Sequence, residues 1–157
     1  MRSTTLCLPV QGNPAQKILL GMKKTGFGHG KYNGFGGKIE DGETTLAAAL
    51  RELAEECGIL AKEADLRPAG ELTFIFPANP EYDHDVHIYT LTDWQGEPKE
   101  TDEMKPAWFE IADIPYNDMW ASDNYWLPAV LKGKKIKGRV IFAENNEDVD
   151  DITIRTE

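Results

Sequence analysis

The sequence predicts an α+β fold in which a mixed β-sheet is covered by helices. Three observations lead there. Short apolar runs rich in β-branched and aromatic residues recur between Gly, Pro, Asn and Asp breaks; one amphipathic helix stands out near the middle; and a second helix is expected near the C-terminus. At 157 residues the chain fits one domain, read here as residues 1–157, with no repeat or composition shift to mark a boundary.

Thr5 to Val10 is an apolar run closed by the turn cluster Gln11-Gly12-Asn13-Pro14, and Lys17 to Met22 resumes with Ile18, Leu19 and Leu20, which gives two strands. A glycine-dense loop follows, Gly26-Phe27-Gly28-His29-Gly30 and then Gly34-Phe35-Gly36-Gly37, where missing β-carbons permit close approach to a ligand. Thr44 to Cys57 reads as a helix: Thr44 or Thr45 caps its start and Gly58 ends it. Leu72 to Phe76 and Val86 to Leu91 read as strands. Trp108-Phe109 is another, Asn124 to Lys132 a helix, Gly138 to Phe142 a strand, and Ile152 to Ile154 a last one after the acidic Glu144 to Asp151 turn.

Composition narrows the function classes. The formal net charge of -10 opposes any sequence-independent grip on DNA or RNA, so a nucleic-acid polymer is not an expected partner. No apolar run approaches the roughly 20 residues of a membrane span, and the N-terminus carries no signal-like segment, so no membrane association and a cytoplasmic location are expected. Cys7 and Cys57 read as small core residues, too few for a disulfide framework. The basic run Lys132 to Lys137 reads as solvated, and His84 and His87 fall on opposite faces of a strand, which argues against a His/Asp metal site.

The chemistry concentrates on the first helix. At about 100° per residue, Leu46, Leu50, Leu53 and Cys57 form one stripe while Glu52, Glu55 and Glu56 point to the other side. Three acids on a helical face are usually only a solvated surface. Here they stand at i, i+3 and i+4, within reach of common cations, and an anionic phosphate ligand on an acidic protein requires divalent cations to mediate. Arg51 is placed to orient the acids by a bidentate pair, and Glu43 to hold either Arg51 or a metal-bound water. The flanking Gly37, Arg51 and Gly58 set this face apart from a solvated surface, and Glu43, Arg51, Glu52, Glu55 and Glu56 are the candidate catalytic residues.

Gly37, Glu43, Arg51, Glu52, Leu53, Glu55, Glu56, Gly58 and Ile59 resemble, position for position, the signature box of the Nudix hydrolases, nine residues fixed across 23 positions. The resemblance implies the Nudix fold, an α/β/α sandwich, and Mg2+-dependent pyrophosphohydrolysis, with Mn2+ as a possible substitute. Outside the box, Leu19 to Lys24, Gly26 to Gly28, Asn33 to Lys38, Asp85-Val86-His87, Thr101 to Met104, Trp108-Phe109, Asp118-Met119-Trp120 and Tyr125-Trp126 resemble the mammalian-type MutT homologues within that family, the oxidised purine nucleoside triphosphatases.

That likeness implies metal ligands at the Gly36 carbonyl, Glu52, Glu55, Glu56 and Glu103. It implies purine recognition by Thr5, Lys23 and Asn33, with Phe35, Gly36, Gly37 and Lys38 in the substrate loop and aromatic walls from Phe27, Phe74, Phe76, Trp120 and Trp126. The family's acidic pair on the base survives only as Asp123, since Ser122 replaces its neighbour, and His84 stands where the family has a pocket methionine. Serine is shorter and always neutral, so a different base discrimination is expected. Trp120 and Trp126 read equally as core aromatics, and Asp123 as a helix cap. The expected activity is hydrolysis of purine deoxynucleoside triphosphates, such as 8-oxo-dGTP or 2-oxo-dATP, to monophosphate and pyrophosphate by a monomer. The alternatives are a Nudix enzyme for another nucleoside diphosphate derivative and a catalytically idle purine-nucleotide-binding module.

Overall fold

The computed structural model describes residues 1–157. The elements run β1 (Arg2–Gln11), β2 (Lys17–Lys23), β3 (Tyr32–Asn33), α1 (Thr45–Cys57), β4 (Arg67–Ile75), β5 (His84–Leu91), β6 (Met104–Glu110), α2 (Asp123–Leu131), β7 (Ile136–Phe142) and β8 (Val149–Thr156). They form a mixed sheet in the order β3-β2-β1-β5-β4-β7-β8, with β6 paired to β2. β1 runs parallel to β5, and β4 parallel to β7; the other pairings are antiparallel.

β1 reads as a continuous apolar run because both of its faces are covered. Leu6, Leu8 and Val10 point to a core shared with Leu72, Phe74, Val140 and Phe142, closed by Trp126, Leu127, Val130 and Leu131 of α2. Cys7 points the other way, to a second core with Leu19, Phe35, Tyr89 and Leu91, closed by Ala49, Leu53 and Cys57 of α1. One helix thus seals each face, as an α/β/α arrangement requires. Both cysteines are free and buried, as small core residues. Thr44 is the cap of α1, accepting a hydrogen bond from the Ala47 amide at 3.1 Å. The helix ends where Gly58 turns left-handed at φ 76° and donates its N–H to the Ala54 carbonyl.

Several elements extend beyond or fall outside the sequence expectation. β3 lies inside what reads as loop. β6 begins at Met104 rather than Trp108, because Pro106 interrupts the apparent pattern while the strand continues beside β2. β8 begins among acids, at Val149, since an edge strand with one exposed face tolerates charge. Four short turns of 3-10 helix, at Glu63–Asp65, Pro80–Tyr82, Ile111–Asp113 and Tyr116–Asp118, are too brief to leave any periodicity.

A β-carbon on Gly58 would meet only the Lys99 side chain, at 3.6 Å, so the position demands glycine for its backbone angle alone. Gly58→Ala is expected to destabilise the fold by about 1 kcal/mol, lowering the melting temperature by roughly 2–4 °C for a chain of this size, as read by calorimetry.

Candidate active site

The acids of α1 do not act as one face. Glu52 and Glu56, one turn apart, turn toward the glycine loop, where their carboxylates and that of Glu103 lie within 4.8 Å of one another. Glu56 is only 2% exposed, against the expectation that it faces outward, and its Oε1 accepts the Gly36 N–H at 2.7 Å. Burial pushes its carboxyl up to about 8, against the opposing pull of the Gly36 amide. Burial also raises Glu52, which Arg51 partly counters. Glu55 stands apart from this group and is exposed: 100° of helical rotation separates it from Glu56, and it extends along the surface to Arg51 at 3.3 Å.

Arg51 organises the cluster. Its Nε and Nη2 hold both oxygens of Glu43, at 2.6 and 3.0 Å, its Nη1 donates to Glu52 Oε1 at 2.9 Å, and its Nη2 reaches the Lys38 carbonyl at 3.1 Å. This fork keeps the Glu43 carboxyl down at about 2 and ties helix to loop. Glu103 is set from below: the Thr101 hydroxyl donates to the Glu56 carbonyl at 2.9 Å and accepts the amides of Glu103 and Met104. The loop packs closely on β1 at Gly36 and on the Glu52 side chain at Gly37. A β-carbon on Gly36 would run into the Thr5 carbonyl, and one on Gly37 would lie 2.7 Å from the Glu52 carboxyl.

Beside the acids opens a cavity of about 280 Å³ lined by Thr5, Lys23, Asn33, Gly36, Gly37, Lys38 and Glu56, and by the rings of Phe27, Phe74, Phe76, His84, Trp120 and Trp126. Phe27 leans on Trp120 at 5.0 Å, and His84 packs on Phe74 at 5.3 Å. The His84 Nδ1 lies 2.6 Å from the Tyr82 carbonyl, which makes Nδ1 the donor; burial lowers the affinity of the ring for a second proton. Asn33 accepts the Gly34 N–H on its Oδ1, leaving its amide N–H groups free. Asp123 also lines the cavity. Its Oδ1 accepts from Trp126 Nε1 at 3.1 Å, its Oδ2 has no partner, and burial pushes the carboxyl up to about 7.

Two sequence-assigned residues sit elsewhere. Phe35 is wholly buried against Cys7 and Leu19, because the extended Gly34 to Gly37 segment bridges to β1 and alternation sends this ring into the α1 core. Ser122 does not line the cavity; it is fully buried and its hydroxyl lacks a partner. His84 and His87 do take opposite faces, and His87 pairs with Glu71 on the outer one. Sequence reading missed Tyr82, which stacks on Phe27 at 4.5 Å, and Lys31, whose ammonium lies 5.0 Å from the centre of a Trp120 ring. Both contacts join loops far apart in the chain and leave no local signal.

A family model described as the NUDIX domain matches residues 2–130. The chain is 43% identical over 145 residues to the oxidized purine nucleoside triphosphate hydrolase of Mus musculus, covering 92% of this chain and 89% of that protein. It is 47% identical over 138 residues to the protein of the same name from Danio rerio, covering 88% and 85% respectively. Among solved structures, the MutT protein from Bacillus halodurans matches with a TM-score of 0.83 at 22% identity, over 98% of this chain and 97% of that one, a likeness of fold.

Burial keeps the Glu56 carboxyl neutral below about pH 8, and a cation seated on it would meet that proton. A cation takes the carboxylate, so binding at neutral pH displaces a proton, and affinity for Mn2+ should rise up to about tenfold per pH unit below pH 8 and level off above it. Titration calorimetry across that window checks this, and Glu56→Gln should flatten the slope.

Proposed function

The chain belongs to the NUDIX domain family, and we propose that it hydrolyses oxidised purine nucleoside triphosphates to monophosphate and pyrophosphate, using Mg2+ held by Glu52, Glu56 and Glu103. The carrying observation is adjacency: an aromatic-walled cavity sized for a base opens directly beside the acid cluster. The names of the mouse and zebrafish relatives support the substrate class. An all-oxygen donor set suits a hard cation such as Mg2+ or Mn2+. Glu55, outside the cluster, is placed by this reading as an outer partner of Arg51. A divalent cation bound there would neutralise phosphate charge and polarise the bond to be cleaved.

The chain's own residues supply the rest. Lys23 lines the cavity where its charge also reaches Glu56, so it faces the phosphates. Glu52 Oε1 is held by Arg51, which leaves Oε2 to hold the cation. Phe27 and Trp120 cover the base, Asn33 offers an N–H to its polar edge, and Asp123 Oδ2 takes another. Near neutrality Asp123 can donate or accept, the property needed to read a purine whose ring nitrogen changes from acceptor to N–H donor on oxidation. The reading takes residues 1–157 as one catalytic domain, monomeric and cytoplasmic. The net charge of -10 supports leaving nucleic-acid polymers out, and no helix is long and apolar enough to cross a membrane.

Glu56→Gln should retain the fold yet lose about 100-fold or more of Mg2+-dependent pyrophosphate release, read on a panel of dGTP, 8-oxo-dGTP, dATP and 2-oxo-dATP. Unchanged turnover by this variant sinks the site assignment, and a panel without preference for oxidised bases sinks the substrate class. Ser122→Asp places a second carboxyl beside Asp123 in a fully buried position, so the two would share a proton. The ratio of 8-oxo-dGTP to 2-oxo-dATP turnover should then shift about tenfold or more.

A further inference from the structure

The acidic turn between β7 and β8 lies outside the chemistry described so far, yet it reaches the cavity mouth. Glu147 Oε2 lies 2.7 Å from the Lys31 ammonium, 116 residues away, and the same ammonium sits over Trp120 at 5.0 Å. Lys31 itself lines the cavity, and its side chain is only 21% exposed. The turn is braced internally: Asn145 Oδ1 accepts the amides of Glu147 and Asp148, and Asn145 Nδ2 donates to Asp148. It is also anchored, since Asn146 Nδ2 donates to Asn79 Oδ1 at 2.7 Å, in the loop before β5 that carries Tyr82. Tyr82 in turn stacks on Phe27, and Phe27 on Trp120. Four loops therefore close a ring of contacts around the mouth.

We propose that Glu147 is a positioning residue for base binding: by pinning Lys31 against Trp120 it fixes the outer wall of the cavity in the orientation that receives a purine. A half-exposed ion pair adds little to stability, so the purpose of such a pair at a rigid turn is geometric. Lys31 without Glu147 would have the rotamer freedom of any long side chain, and the Trp120 ring would lose one of the contacts that hold it. The inference rests on the reading of the cavity as a purine site and adds a specificity element supplied by the turn between β7 and β8, distant in sequence from the acids.

The test uses an uncharged probe, 8-oxo-2′-deoxyguanosine, so that phosphate binding plays no part. Glu147→Gln should weaken its binding about two- to fivefold, raise KM for the triphosphate by a similar factor, and leave kcat and melting temperature unchanged. Quenching of tryptophan fluorescence by acrylamide should increase in the same variant without ligand. Lys31→Met should reproduce the loss of binding, and Lys31→Arg should restore it. Equal binding by wild type and Glu147→Gln overturns the inference alone, whereas a wild type that binds no purine nucleoside overturns the purine reading and the inference with it.

Discussion

The structure turns on one part-buried hydrogen bond, from the Gly36 N–H to Glu56. A carboxyl removed from water favours its neutral form, and Glu56 is held near neutrality by that burial despite the amide that stabilises its charge. Such a group is a poor surface acid and a good cation ligand, because a divalent ion supplies the charge that water no longer balances. Its neighbours at Glu52 and Glu103 compound the effect, since like charges within 4.8 Å resist ionising together.

The same bond dictates the path of the backbone. For α1 to bring Glu56 to the loop, the loop must lie flat against both β1 and the helix, and only glycine leaves room at Gly36 and Gly37. Asn33 to Lys38 thus becomes a shared wall. On one side it meets the acids; on the other it borders the cavity, where Asn33 and Lys23 stand. A ligand with a base at one end and phosphates at the other would be held by a single rigid strip. The double burial of β1 makes that strip stiff, with a helix packed on each face of the sheet.

Much of this was legible in the sequence for a simple reason: the acid-bearing helix, its caps and its glycine loop are contiguous. Thr44 and Gly58 announce the ends of that helix through residue type and spacing alone. Errors arose where a side chain's direction depends on packing. Glu56 reads as exposed because helical periodicity sees only the stripe of leucines, while the loop that buries it lies 20 residues upstream. Phe35 reads as part of a ligand loop, yet its register against Cys7 aims it into the core. Ser122 reads as a pocket residue, yet Asp123 lines the cavity and Ser122 does not.

By itself the sequence determined which acids stand on one helix, which arginine lies beside them, and the signature by which the family is known. Tertiary structure alone decided which of those acids meet, how far each is desolvated, and which distant loops touch beside the cavity. The physical reason is that spacing along a helix fixes angles between neighbours, whereas a carboxyl's charge state and a ring's orientation are set by whatever atoms arrive from elsewhere in the chain. Glu103 beside Glu52, and Glu147 beside Lys31, are close only because the sheet brings their strands and turns together.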